Sequence, residues 1–156
     1  RTCGKRPGNN MPIRGDPGNH NSPQPFSWPV RVYYEDTDAA GVVYYANYLR
    51  FFERARTEWL RSFGFEQTEL AAHHKVVFVV RAVAIEYLRP SLFNDRLQVT
   101  VELVKVGASQ IQVTQRVVRD GDEVVTAAVR VVCVNVATLR PVRIPQAIIK
   151  KIGNSS

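Results

Sequence analysis

Cysteine is nearly missing from these 156 residues: the chain carries only Cys3 and Cys133. Cys3 sits in a polar terminal stretch. Cys133 lies in a run of valines, where a lone thiol serves as a small buried hydrophobe, so no disulfide framework is available. A reducing, cytoplasmic setting fits that usage. No apolar run approaches the length of a membrane span, and the N-terminus lacks the apolar core of a secretory signal. There is no phosphate-binding glycine loop, dinucleotide fingerprint or Ser-His-Asp elbow. His73 and His74 are adjacent, with no further ligand spaced to join them on a metal, so neither a metal site nor a cofactor is expected.

Acidic residues are also in short supply, leaving a formal charge of +7. A basic surface attracts phosphate, which raises nucleic acid as a partner. The distribution argues against it. Arg1, Lys5, Arg6 and Arg14 against Asp16 place +3 of the charge in residues 1–29, and the rest is a modest excess spread over a whole domain. No recognition helix, zinc-ligand pattern or aromatic RNA-binding signature accompanies it. A small anionic ligand such as a nucleotide-bearing thioester suits this balance at least as well.

What is present is enough apolar material, 45% of residues, for one sizeable core. Residues 1–26 hold many of the Gly, Pro, Asn and Ser residues and little apolar periodicity, so they read as a disordered extension ahead of a single domain over 27–152. Trp28 to Tyr34 is rich in β-branched and aromatic residues and reads as the first strand. Tyr48, Phe51, Phe52, Ala55, Trp59 and Leu60 then recur at helical spacing, with Asn47 as a helix cap and Gly64 as a left-handed C-terminal stop. Arg50, Glu53, Arg54, Glu58 and Arg61 fall on the opposite face, where Arg54 and Glu58 can pair.

After a short helix or connector over Glu66 to His74 the period changes to two. Strands are expected at Val76 to Leu88, Arg96 to Val106, Ile111 to Val117 and Glu123 to Val136, with a hairpin at Asp120-Gly121-Asp122. Gln146 to Ile152 reads as a terminal helix. The result is an α+β domain in which one long helix buries its aromatic face on one antiparallel sheet.

The stretch Tyr33-Tyr34-Glu35-Asp36-Thr37-Asp38-Ala39-Ala40-Gly41-Val42-Val43-Tyr44-Tyr45-Ala46-Asn47-Tyr48, continued by Glu53-Arg54-Ala55-Arg56, resembles the signature of the YbgC-type acyl-CoA thioesterases associated with the Tol-Pal system. These belong with the 4-hydroxybenzoyl-CoA thioesterases and have the hotdog fold, a curved antiparallel sheet wrapped around a central helix. The resemblance covers about residues 28 to 150. It implies hydrolysis of a coenzyme A thioester, with Asp38 as the catalytic carboxylate and the backbone amide near Tyr45 polarising the thioester carbonyl. Many YbgC-type proteins carry histidine where this chain has Tyr45. That puts the weight on the Tyr45 amide, because a tyrosine hydroxyl with an unperturbed pKa of about 10 does not replace a histidine at neutral pH.

The same resemblance makes Gly41, Val43, Tyr44 and Asn47 substrate neighbours. Arg89, Arg140 and Arg143 are candidates to meet the phosphates of coenzyme A, with surface salt bridges as the alternative. Asp36 and Glu35 are expected to be structural or solvated, and Glu53, a rival base, to be a solvated helix residue. An acyl carrier protein is a second candidate carrier of the acyl group. A homo-oligomer, dimer or tetramer, is expected from the family, with the site at a subunit interface. The competing reading is a non-catalytic module that binds acyl-CoA or acyl carrier protein.

Overall fold

The structure is a computed structural model that describes residues 25–153. Apart from Pro25 and Phe26, the extension expected over 1–26 lies outside the described residues. Strand β1 spans Phe26–Arg31 and helix α1 spans Asn47–Ser62. A three-residue helix, α2 (Gln67–Glu69), runs into a π-helical turn at Leu70–His74. There follow β2 (Val76–Tyr87), β3 (Arg96–Val106), β4 (Gln110–Arg119), β5 (Asp122–Asn135) and α3 (Gln146–Gly153).

The strands form one five-stranded antiparallel sheet in the order β1-β3-β4-β5-β2. Its inner face is set by alternation, interrupted by register shifts at Val80/Ala82, Leu103/Lys105 and Val117/Val118. Leu97, Val99 and Val101 of β3, Ile111, Val113 and Val117 of β4, and Val125, Ala127 and Val129 of β5 are all buried. The pleat sends each intervening residue to the other face. Helix α1 lies on that inner face, closest to β3 and β1. Its buried set is the periodic one read from sequence: Tyr48, Phe51, Phe52, Ala55, Trp59 and Leu60. Each fully buried large side chain contributes about 1.5–3 kcal/mol relative to exposure. Ile148 and Ile152 of α3 join the same core. Burial pushes the Cys133 thiol up to about 11, which keeps it a neutral packing group at pH 7.

One boundary and one ion pair differ from expectation. The first strand stops at Arg31, before Tyr34, because an Asp36 carboxylate oxygen accepts the Tyr33 amide at 2.8 Å and turns Tyr34–Asp36 into a 3-10 turn. On the polar face of α1, Glu58 pairs with Arg61 and not with Arg54. The C-terminal stop is as expected. Gly64 has φ +91°, its amide donates to Arg61 at 2.9 Å, and the Phe65 amide donates to Leu60 at 3.1 Å.

Replacing Phe52, which is 1% exposed, by alanine removes a central member of the helix face. We expect Phe52→Ala to cost about 3–5 kcal/mol and to lower the thermal midpoint by many degrees, measured by circular dichroism melting.

Candidate active site

The segment between the 3-10 turn and α1 is a compact loop closed by its own backbone. The Asp38 amide donates to Val42 O at 2.9 Å and the Gly41 amide donates to Asp38 O at 3.0 Å. Thr37 bridges to Val43, and Val42 to Leu92. Gly41 has φ +80°, a conformation that L residues resist, and a Cβ there would meet nothing within 4 Å. The requirement at this position is conformational, not spatial.

The two aspartates of the loop have different partners. Asp36 holds structure: besides its carboxylate bond, its carbonyl accepts the Tyr44 amide at 3.0 Å and the Asn47 side-chain amide at 2.9 Å. Asp38 is exposed, and one of its carboxylate oxygens accepts the Ala40 amide at 2.8 Å. Its other oxygen accepts no bond among the described residues. Asn47 is therefore not the helix cap expected from its residue type. It is the first residue of α1, Ala46 precedes it without a side-chain cap, and its side chain ties the helix start to Asp36.

At the start of α1 the Tyr45 and Ala46 amides donate to no carbonyl among the described residues. The next amides make only short-range bonds, Asn47 to Tyr44 O at 2.9 Å and Tyr48 to Tyr45 O at 3.4 Å. A helix start with open amides carries partial positive charge and can stabilise an oxyanion. Around it stand four tyrosines. Tyr44 and Tyr45 have ring centroids 4.7 Å apart, Tyr45 and Tyr87 6.2 Å, and Tyr48 and Tyr87 5.8 Å. The Tyr87 hydroxyl donates to Tyr45 O at 3.2 Å.

The hydroxyl of Tyr44 is pushed above its ordinary value by its contact with the Tyr45 hydroxyl, and burial pushes Tyr48 and Tyr87 up as well. These three are neutral donors at pH 7. Val43 is buried, and its amide donates to Ser91 O at 2.8 Å, so it acts through the backbone in holding the loop.

The three arginines considered for phosphate are not gathered in one protomer. Arg89 follows β2 and donates to Glu123 O at 2.5 Å, on the same end of the sheet as Tyr87. Arg140 and Arg143 follow β5, whose end pairs with Val76 at the start of β2. The length of β2, roughly 36 Å at the usual rise, separates them. No ion pair involves any of the three among the described residues.

Sequence reasoning missed Arg56 and Gln115. Gln115 is fully buried on the inner face of β4, where its Nε2 donates to Phe52 O at 3.1 Å and its Oε1 accepts from Arg56 at 2.8 Å. The signal was available: Gln115 takes an inward position in the series Ile111, Val113, Gln115, Val117. A glutamine in that register must satisfy its amide against the helix above it.

Residues 32–152 match the family model of the thioesterase-like superfamily. The chain belongs to that superfamily. Within it, the chain is 46% identical over 123 residues to the acyl-CoA thioesterase YbgC of Haemophilus influenzae, covering 79% of this chain and 90% of that one. It is 45% identical over 125 residues to the acyl-CoA thioester hydrolase YbgC of an Escherichia coli O6:H1 strain, covering 80% and 92%. Both relatives place it among the YbgC acyl-CoA thioesterases. A solved structure from Bartonella henselae, described as a probable thioesterase, superposes with a TM-score of 0.75 at 34% identity, covering 78% of this chain and all of that one. The hotdog fold is thereby shown. No helix among the described residues is long and apolar enough to cross a membrane.

The loop makes a direct stability prediction. Gly41→Ala should cost about 1–2 kcal/mol by strain alone, and Gly41→Asn less, because asparagine tolerates a left-handed backbone. Chemical denaturation of the two variants beside the native chain checks the order.

Proposed function

We propose that the protein hydrolyses acyl-CoA thioesters, with Asp38 as its catalytic carboxylate and the open amides at Tyr45 and Ala46 as its oxyanion site. The observation that carries this reading is the pairing of an exposed carboxylate, one oxygen without a bond among the described residues, with open amides at a helix start one tight turn later, in a chain close to the YbgC enzymes. In the step itself, water adds to the thioester carbon as Asp38 takes its proton, or Asp38 adds first and water releases the acid. Either way the carbonyl oxygen becomes an oxyanion held by the amides. Collapse then breaks the carbon–sulfur bond, and the coenzyme A thiolate leaves and takes up a proton.

In this reading the Tyr45 hydroxyl is dispensable, since its backbone does the work. Gly41 holds the turn, and Val43, Tyr44 and Asn47 fix the walls and the entry to the helix start. Arg89, Arg140 and Arg143 serve coenzyme A phosphates at whichever end of the sheet the nucleotide lies. The cytoplasm is where the reading puts the reaction, with coenzyme A or an acyl carrier protein bringing the acyl group.

A second copy completes the assembly. Strand β2 is a sheet edge whose Val79, Val80 and Val83 are 41%, 45% and 38% exposed, and long apolar edges of this kind seek a pairing partner. Antiparallel pairing of two β2 edges would make one continuous sheet and bring the second copy beside Tyr87 and the Asp38 loop.

Thiol release from a panel of acyl-CoAs tests the chemistry. Asp38→Asn should lose about a hundredfold or more in kcat, while Tyr45→Phe stays close to native. Full activity of Asp38→Asn would remove Asp38 from the chemistry, and a large loss in Tyr45→Phe would return the hydroxyl to it. Light scattering tests the assembly: the native chain should run as a dimer or larger at micromolar concentration, and Val80→Lys should dissociate it, whereas a native monomer overturns the edge pairing.

A further inference from the structure

A cavity of about 320 Å³ lies between the second half of α1 and the sheet, with Trp59, Leu60, Phe78, Ile111 and Val131 forming its apolar walls. It is partly open to solvent and falls in the size range of small-ligand pockets. Into this apolar lining comes one guanidinium, that of Arg56. The group is largely withdrawn from water, and burial pulls its pKa down. Its single hydrogen bond among the described residues is to Gln115 Oε1 at 2.8 Å. Gln115 is itself held by Phe52 O and Thr100 O, so it fixes the direction in which Arg56 points.

A guanidinium carries five donors, and here most of them have no protein acceptor. Glu53, one helical turn earlier, also lines the cavity and favours the charged form of Arg56. It is exposed, however, and no carboxylate lies within ion-pair distance of Arg56 among the described residues. The unpaired nitrogens of Arg56 are not fully buried, so they keep some contact with water and stay open to an incoming anion.

We propose that this cavity receives the acyl group of the substrate, and that Arg56 selects short acyl groups whose far end carries a carboxylate. The assignment rests on the acyl-CoA reading above. One distance in the structure, taken with the edge pairing proposed above, points the same way. Asn47 and Arg56 are nine residues apart on α1, roughly 14 Å along its axis, so the cavity lies well away from the Asp38 loop of its own protomer. Its sheet wall includes Phe78, Val79 and Val80 from the first half of β2, the half that antiparallel edge pairing sets beside the second copy's Tyr87 and Tyr45. The cavity of one copy therefore serves the thioester held by the other. Arg56 meets the distal carboxylate through charge-assisted bonds, and Gln115 acts as its positioning residue.

The test compares adipoyl-CoA with hexanoyl-CoA, which share a chain length and differ in the terminal carboxylate. Binding is measured by calorimetry on the Asp38→Asn protein, in which turnover is suppressed, and hydrolysis is measured on the native chain. Adipoyl-CoA should bind about ten- to a hundredfold tighter than hexanoyl-CoA, and the preference should appear in KM rather than in kcat. Arg56→Gln should weaken adipoyl-CoA alone and bring the two within about threefold, and Arg56→Lys should restore part of the preference.

Equal affinity for the two ligands in the chain that keeps Arg56 overturns the assignment, and that comparison needs no variant at Arg56 to fold. Equal weakening of both by Arg56→Gln also overturns it and leaves Arg56 as a structural tie between α1 and β4. A preference for adipoyl-CoA in binding, without hydrolysis of any acyl-CoA by the native chain, supports the Arg56 assignment while sinking the hydrolase reading.

Discussion

The burial of one aromatic helix face on one face of a single sheet is the constraint on which the rest of this molecule depends. Helix α1 buries Tyr48, Phe51, Phe52 and Trp59 there, and among the described residues no other long helix covers the inner faces of β3, β4 and β5. Once α1 is fixed there, its N-terminal amides have a fixed position too. The loop that carries Asp38 is strung between β1 and that helix start. The oxyanion site proposed there depends on a rigid support, because open amides are useful to an oxyanion only if they are held still.

The loop shows how a short acidic segment divides its work. Asp36 is committed to structure through three acceptor contacts, to the Tyr33 and Tyr44 amides and the Asn47 side chain. Asp38, two residues later, keeps one oxygen free at the surface. Two residues of the same type differ in role because the Asp36 carbonyl and carboxylate anchor both ends of the turn. Residue type would have made them equal candidates.

The same tension between packing and polarity recurs inside the core, at Gln115. An inward polar residue in a row of valines and isoleucine is tolerated because it bonds the helix above it. The bond network runs from Thr100 through Gln115 to Phe52 and Arg56. It leaves a cation at the edge of an apolar cavity, a feature that core packing by itself does not call for. Helix, sheet and cavity are joined there by a few polar atoms in an otherwise dry contact.

The sequence by itself determined the elements and the family. Helical spacing from Tyr48 to Leu60, period-two alternation in β3 to β5 and the glycines at 41, 64 and 121 are local signals, because each depends on residues within one turn or one strand of it. The ordered motif from Tyr33 to Tyr48 carried the resemblance, and relatives at 45% and 46% identity belong to the same family. Tertiary structure decided the rest. The end of β1 and the tether role of Asn47 each depend on a partner that periodicity does not name. The bond between Arg56 and Gln115 joins residues 59 positions apart, and only the packing of α1 across β4 brings them together. Spacing along a chain fixes which face a side chain takes. What it meets there is fixed by the element laid against that face.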